Sequence, residues 1–237
     1  MQTTDNKTAT LAEVASKPLW SHTKFYCEEN VFLLCRALLQ RQNTARLFAV
    51  FVSNLSRKVC FWMHSSEQDP SGRGPVVWDY HVFALSFKDA GCPFVWDLDS
   101  SLQMPCPAGS YISSALRPEL ILDSTYHRRY RVVEAHAFLA MFASDRSHMQ
   151  LPDGSWQAPP PPYPCITSPG GDVMNLPLYL DMSMRESQGA EMMNQRELDC
   201  SRGLSRNLCG RRSWLRLATA QAPRTVWEMH GPSESII

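Results

Sequence analysis

Apolar and polar residues recur along this chain with two different periods, and these periods predict where helices and strands lie. Residues 26–40 carry apolar side chains at helical spacing and predict an amphipathic helix. Residues 46–54 and 58–64 are apolar segments that predict two strands paired across a short turn. Two longer runs, 75–87 and 93–99, predict a second pair of strands.

The second half of the chain predicts fewer regular elements. Residues 129–133 predict a short strand and residues 134–143 a helix. Residues 144–166 contain too many prolines for regular structure and are expected to wrap the surface. Because helices and strands alternate without the rhythm of βαβ units, the predicted fold class is α+β.

Composition divides the chain into three parts. Residues 1–20 are polar and aperiodic, which predicts a flexible leader, and residues 21–184 hold the segments that predict a folded domain. Residues 185–237 have weak periodicity and carry six arginines and no acidic residue between positions 201 and 224. Such a segment is typical either of a disordered tail or of an arm that binds nucleic acid or an acidic partner. Sparse aromatic residues favour the disordered tail.

Composition also narrows the function classes. With 237 residues and 44% hydrophobic content, the chain can bury one substantial core. Its formal net charge is zero, so no overall positive field attracts nucleic acid or anionic membranes. The N-terminal residues lack the apolar stretch of a secretory signal, and no apolar run approaches the roughly 18 residues of a membrane span. These features predict a soluble intracellular protein.

The eight cysteines are therefore expected to be reduced, most of them as small buried hydrophobic residues. No two have CxxC spacing and no histidines have HxxxH spacing, so no zinc site is indicated. Cys27 is the best candidate for a reactive thiol, because it lies at or just before the N-terminus of the predicted helix, where thiolate is favoured. Glu28 and Glu29 oppose that effect.

Two polar residues interrupt the apolar strand predicted over 75–87. Strand alternation places Asp79 and His81 on the same face, although both faces are otherwise largely apolar. The next predicted strand places Asp97 and Asp99 together on one of its faces. An isolated ionised carboxylate would be costly in such an interior, so these side chains are expected to pair.

The register of the predicted hairpin decides which carboxylate meets the histidine. A turn centred on Asp89 places His81 opposite Asp97, whereas a turn centred on Ala90 places it opposite Asp99. In either register a carboxylate orients the His81 imidazole. Such a His–Asp pair is two-thirds of a nucleophilic triad, and Cys27 is the candidate for the third member. A purely structural His–Asp pair is the alternative interpretation.

Five motifs in residues 25–180 resemble the N-terminal glutamine amidohydrolase family: FYCEEN, GPVVWDYHV, VWDLDS, FASDRSHM and PPPPYPCI followed by MNL. The resemblance implies a monomer with a papain- or transglutaminase-like α-β-α sandwich around a mainly antiparallel sheet. It implies hydrolysis of the side-chain amide of N-terminal Gln to Glu, with release of ammonia, in the arginine branch of the N-degron pathway. No metal or cofactor is implied.

The resemblance also implies roles for individual residues. The family's nucleophile falls on Cys27, its histidine on His81 and its aspartate on Asp97, which selects the register centred on Asp89. Recognition of the free α-ammonium group needs an acidic residue near the thiol, and Asp79 and Glu28 are the candidates. The partners expected are proteins or peptides with N-terminal Gln, without nucleic acid or membrane, in the cytoplasm and also the nucleus.

The resemblance fails after about residue 180, where the Arg-rich segment replaces the family's C-terminal pattern. We therefore hypothesise that this chain is an alternative isoform, whose folding and activity the altered tail puts in question. Two other functions stay open. One is a different thiol hydrolase or transferase, such as a peptidase or transglutaminase, and the other is an inactive fold that binds a partner.

Overall fold

Eight strands lie in the described part of the chain, which comprises residues 21–41, 46–64, 74–87, 92–183 and 226–228 of a computed structural model. In chain order they are β1 (Arg46–Ser53), β2 (Val59–Phe61), β3 (Val76–Trp78), β4 (His81–Phe87), β5 (Phe94–Trp96), β6 (Cys106–Pro107), β7 (Arg129–Glu134) and β8 (Val226–Glu228). Six of them form one sheet in the order β6-β5-β4-β1-β7-β8, and β2 pairs with β3 in a separate sheet. These pairings are antiparallel.

Short helices accompany one longer helix. They are α1 (Cys27–Gln40), α2 (Ala108–Tyr111), α3 (Ala135–Met141) and α4 (Leu176–Leu180). A π-helical segment, Ile112–Leu116, continues directly from α2, and two single 3₁₀ turns lie at Ser124–Tyr126 and Ser147–Met149. The combination of helices with a mainly antiparallel sheet confirms the predicted α+β class.

Alternating side chains of the central strands enter two separate hydrophobic cores. On β1, Leu47, Ala49 and Phe51 pack with apolar residues of α1, α3 and α4. Their neighbours Phe48, Val50 and Val52 pack on the opposite face with residues of β2, α2 and the π-helical segment. Both faces of the sheet are therefore covered, which explains why β1 and β4 are apolar at nearly every position.

Several predicted elements are confirmed. The helix predicted over 26–40 is α1, the strand predicted over 129–133 is β7, and the helix predicted over 134–143 contains α3. Apolar periodicity identified these elements because each buries one stripe or one face against the sheet.

The predicted pairing of 46–54 with 58–64 is wrong. Both edges of β1 are occupied, by β4 and by β7, so β2 has no place beside it. The Asn54 side chain ties the intervening loop to a different part of the chain: its Nδ2 donates to the carbonyls of Lys58, Thr125 and His127 at 2.6, 2.8 and 3.0 Å. These hydrogen bonds hold the loop between β1 and β2 beside the segment that precedes β7.

The prediction of a single strand over 75–87 is also wrong, because the segment forms two strands in two different sheets. β3 pairs with β2, and β4 pairs with β1 and β5. The break falls at Asp79 and Tyr80, where the Asp79 side chain accepts a hydrogen bond from the Tyr80 backbone N–H at 2.9 Å. Strand alternation therefore does not continue from Asp79 to His81.

Of the tail predicted over 185–237, only residues 226–228 lie in the described part of the chain. β8 pairs with β7, so residues 226–228 join an edge of the large sheet although they lie in the range predicted to be disordered. The remainder of 185–237, and the predicted leader 1–20, lie outside the described residues, so the domain boundaries stay predictions. Within the described part of the chain, the helices are all too short or too polar to span a bilayer.

The aromatic rings that surround Phe138 of α3 should make a large contribution to stability. Phe138 is fully buried, and its ring lies 5.6 Å from those of Phe32 and Phe51 and 4.8 Å from that of Phe142. Phe138→Ala should lower the free energy of unfolding by about 3–5 kcal/mol, because it removes this packing and leaves a cavity. Urea denaturation measures the change.

A matched control is Ile121→Ala, since Ile121 is 79% exposed. It should change the free energy of unfolding by no more than about 0.5 kcal/mol. Equal effects of the two substitutions would contradict the placement of Phe138 in the core.

Candidate active site

The first turn of α1 is buried, although it contains two acidic residues and a cysteine. Cys27 is the first residue of the helix and is 4% exposed, and Glu28 and Glu29 are fully buried. A hydrogen bond from the Val82 backbone N–H reaches the Cys27 thiol, and Cys27 packs with Val82 of β4 in one hydrophobic core. The predicted position of Cys27 at the helix start is confirmed.

An ion pair fixes this turn of the helix. Arg146 donates to both oxygens of Glu29 at 2.8 Å, from Nε and Nη2, and its guanidinium also donates to the carbonyl of Tyr163 at 3.0 Å. Both side chains are buried, so the paired geometry is needed to offset the cost of removing two charges from water. Arg146 thereby anchors the proline-rich segment 144–166 beside the helix that carries Cys27.

His81 and Asp97 form a buried hydrogen-bonded pair. The Nε2 atom of His81 lies 3.0 Å from Oδ1 of Asp97, and the two side chains are 0% and 2% exposed. Burial lowers the pKa of His81, but the Asp97 charge and hydrogen bond outweigh it and raise the pKa above its usual value. The His81 Nδ1 atom is buried and has no hydrogen-bond partner among the described residues.

The hairpin register centred on Asp89, which the family resemblance selected, is wrong. The hydrogen-bonded pair of His81 and Asp97 that it was meant to explain is nevertheless present. β4 and β5 pair Ala84 with Trp96 and Ser86 with Phe94, which is the register centred on Ala90. Strand β5 ends at Trp96, and Asp97 begins a turn in which its own Oδ1 accepts from the Asp99 backbone N–H at 3.1 Å. The turn, rather than a strand ladder, brings Asp97 to His81.

Asp97 accepts four hydrogen bonds. Besides His81 and the Asp99 backbone on Oδ1, its Oδ2 atom lies 3.1 Å from Nε2 of His64 and accepts from the Tyr111 hydroxyl at 2.5 Å. Burial would raise the pKa of Asp97, but the charges and hydrogen bonds of His81 and His64 hold it well below its usual value. The carboxylate therefore stays ionised in the interior.

Sequence reasoning missed His64 and Tyr111. His64 follows the short strand β2 and is fully buried, and Tyr111 ends α2. A signal for His64 existed, because a histidine at the end of an apolar strand poses the same question as His81. Nothing in the sequence indicated that Tyr111 reaches Asp97.

In this environment the Cys27 side chain is a protonated thiol rather than a thiolate. Burial, the Glu28 charge and the Asp99 charge raise its pKa well above the usual value, and the hydrogen bond from Val82 opposes them only in part. The lowering of the Cys27 pKa that was expected from the helix N-terminus is therefore outweighed. Sγ donates to Oε2 of Glu28 at 3.7 Å, and no hydrogen bond joins Cys27 and His81 among the described residues.

Glu28 and Asp79, the two candidates for recognising the α-ammonium group, lie in different environments. Glu28 is fully buried; its Oε2 accepts from the Tyr80 hydroxyl at 2.9 Å, and its Oε1 has no hydrogen-bond partner in the part of the chain that the structure describes. His148 Nε2 lies 3.5 Å from that Oε1 atom. Asp79 is exposed, and its Oδ1 accepts the hydrogen bond from Tyr80 described above.

A metal ion does not fit the buried histidines without rearrangement. His64, His81 and Asp97 offer ligand atoms within 4.8 Å of one another. However, both carboxylate oxygens of Asp97 already accept two hydrogen bonds each, including one from each histidine. Zinc would need ligand atoms at about 2.0–2.2 Å and would have to displace these donors. The arrangement suits proton transfer through hydrogen bonds.

A thiol at a helix start, beside a strand whose histidine is held by a buried aspartate, is an arrangement that thiol hydrolases use. The family model described as N-terminal glutamine amidase matches residues 22–201. The chain is 40% identical to protein N-terminal glutamine amidohydrolase of Arabidopsis thaliana, over 73% of this chain and 83% of that protein. It is 37% identical to the Homo sapiens protein of the same name, over 71% of this chain and 82% of that protein.

The chain therefore belongs to the N-terminal glutamine amidase family. The family match extends to residue 201, beyond the position near 180 at which the resemblance was expected to fail.

The environment of the thiol predicts how Cys27 reacts. Because the Glu28 charge raises the pKa of Cys27, Glu28→Gln should move the pH midpoint of Cys27 alkylation to lower pH. Iodoacetamide labelling across pH, followed by peptide mass spectrometry, measures this midpoint. Exposed Cys165 in the same digest is the internal control. A midpoint that stays the same or rises would contradict the account.

Proposed function

We propose that this chain is a thiol amidohydrolase that converts the side-chain amide of an N-terminal Gln to a carboxylate and releases ammonia. Membership of the N-terminal glutamine amidase family supports the substrate, and the relatives carry that activity in their names. The observation that carries the proposal is the buried His81–Asp97 pair at 3.0 Å, in which His81 is the first residue of β4, the strand that packs with Cys27.

In the proposed first half-reaction, Cys27 is the nucleophile and His81 the general base. Nδ1 of His81 takes the thiol proton as Sγ attacks the side-chain carbonyl carbon of Gln. Backbone N–H groups at the start of α1 stabilise the resulting oxyanion. The His81 imidazolium then protonates the leaving nitrogen, so ammonia departs and a thioester to Cys27 remains. A base is required because the resting thiol has a raised pKa.

The second half-reaction returns the enzyme to its starting state. His81 takes a proton from water, the hydroxide oxygen attacks the thioester carbonyl, and the carbon–sulfur bond breaks. The proton held by His81 returns to Sγ, and the product is a side-chain carboxylic acid. Asp97 stabilises the imidazolium in both halves and keeps the proton on Nε2. The net reaction consumes one amide and one water, and needs no metal or organic cofactor.

Selectivity for the free terminus requires a group that recognises the α-ammonium, and we assign this role to Glu28. Its Oε1 atom is buried, has no hydrogen-bond partner among the residues described, and belongs to the residue next to the proposed nucleophile. An ammonium donor there would complete the hydrogen bonding of a buried carboxylate. Asp79 is the alternative, because its charge also acts on Cys27 although its side chain is exposed.

The proposal extends to the fold family and cellular context. A helix that begins at the cysteine, packed on an antiparallel sheet that carries the histidine, supports a papain- or transglutaminase-like α-β-α sandwich. We propose a monomer that acts on peptide or protein termini in the cytoplasm and nucleus, without binding nucleic acid or membrane. Zero net charge supports the last point.

Ammonia release from a Gln-initiated peptide tests the proposed activity. We expect rapid release from the free N-terminal Gln and much slower, still measurable release from the Nα-acetylated and internal-Gln peptides. Cys27→Ala should reduce the rate by at least about 10⁴-fold, because the nucleophile is lost. Peptide cleavage or amine incorporation would instead indicate a peptidase or transglutaminase. No reaction by folded protein would indicate an inactive binding form.

Glu28→Gln and Asp79→Asn form a matched pair that tests the recognition of the α-ammonium. We expect Glu28→Gln to reduce the preference for free over Nα-acetylated Gln by about 10–100-fold, because a charged hydrogen bond is lost. Asp79→Asn should leave that preference unchanged. The ratio of kcat/KM for the two substrates is the measurement, since it cancels any change in thiol reactivity. The reverse outcome would transfer the role to Asp79.

A further inference from the structure

We propose that His64 is a positioning residue of this active site: it holds Oδ2 of Asp97 so that Oδ1 stays directed at His81. The inference rests on the proposed function, in which His81 and Asp97 act on Cys27. It concerns a histidine that lies 33 residues before Asp97 in the sequence and has no contact with the thiol among those described above.

The His64 side chain is held from several sides. It is fully buried, and its ring centroid lies 5.2 Å from that of Phe61, 5.9 Å from that of Trp78 and 4.8 Å from that of His81. These rings leave the imidazole little freedom to turn. A side chain confined in this way can fix the orientation of a hydrogen-bond partner.

The backbone around His64 is joined to the turn that carries Asp97. His64 and Ser100 form an isolated antiparallel bridge, and the Met63 carbonyl accepts from the Ser101 backbone N–H at 2.7 Å. The hydroxyls of Ser100 and Ser101 donate to the same carbonyl at 3.3 and 3.0 Å. The histidine and the carboxylate are therefore connected both through their side chains and through their backbones.

Two donors on each oxygen determine the rotation of the Asp97 carboxylate. His81 and the Asp99 backbone bind Oδ1, whereas His64 and Tyr111 bind Oδ2. Loss of His64 removes one of the two donors that hold Oδ2. The carboxylate could then rotate, and the His81 imidazole would follow it away from Cys27. A displacement of about 1 Å at a catalytic group can cost on the order of 10²-fold in rate.

His64 also shares the negative charge of Asp97. Without its hydrogen bond, more of that charge acts on His81, so the imidazolium form of His81 becomes more stable. Asp99, on the same turn as Asp97, is the other charged group that acts on His81, and a substitution at His64 does not alter it. Loss of the donor should therefore move the acidic limb of the kcat/KM profile to higher pH.

Three substitutions of His64 separate positioning from a purely structural role. His64→Leu removes the donor, His64→Gln replaces it with an amide N–H of similar reach, and His64→Asn supplies the same amide on a side chain too short to reach Oδ2. We expect His64→Leu and His64→Asn to lose about 10–100-fold in kcat with little change in KM. His64→Gln should retain kcat within about threefold, with an acidic limb at the wild-type pH.

Tyr111→Phe is the matched control, because it removes the other donor from the same oxygen. It should move the acidic limb in the same direction as His64→Leu. Circular dichroism at the assay temperature checks folding, and if His64→Leu does not fold, the comparison of His64→Gln with His64→Asn decides. Equal behaviour of the Gln and Asn variants, or a wild-type rate and profile for folded His64→Leu, would overturn the proposal.

The same variants distinguish failure of this inference from failure of the proposed function. If the wild-type chain releases no ammonia from any peptide, the proposed function fails, but the His81 imidazole can still be titrated by NMR. Positioning by His64 then predicts a higher His81 midpoint in His64→Leu than in wild type, with His64→Gln close to wild type. Equal midpoints in all three proteins would refute it.

Discussion

The hydrogen bonding of the Asp97 carboxylate is the interaction on which the rest of this site depends. An ionised carboxylate in an apolar interior is costly unless its lone pairs are filled, and Asp97 has a donor for each of four. The donors come from the end of the small sheet, the first residue of β4, the end of α2 and the turn after β5. The Asp97 carboxylate therefore connects the small sheet, the large sheet and helix α2 at one point.

The orientation of His81 follows from this constraint. Because Nε2 is engaged by Asp97, Nδ1 is the ring nitrogen without a partner among the described residues, and it is the atom to which the proposed mechanism assigns proton transfer. The buried Glu29–Arg146 pair holds the start of α1 and with it Cys27. Three buried carboxylates thus have different surroundings: Asp97 binds His81, Glu29 pairs with Arg146, and Glu28, next to Cys27, has one oxygen without a hydrogen-bond partner among the described residues.

Sequence reasoning predicted the local elements and the principal residues better than their arrangement. Periodicity identified α1 and β1 because each buries a continuous apolar stripe or face. It could not identify the break at Asp79 and Tyr80, since the residues on both sides form apolar strands and only their pairing partners differ. The His81–Asp97 pair was predicted, but from the wrong register, because a turn outside the ladder brings the residues together. His64 and Tyr111 were missed because only the tertiary fold brings them to Asp97.

The tautomer of His81 tests the central claim most directly. ¹⁵N chemical shifts of histidine-labelled protein, recorded above the His81 midpoint and assigned with a His81→Gln variant, report which ring nitrogen carries the proton. If Asp97 orients the imidazole as described, the spectrum should show a protonated Nε2 and an unprotonated Nδ1. A neutral His81 with its proton on Nδ1 would contradict the account, since that nitrogen could not then accept the thiol proton.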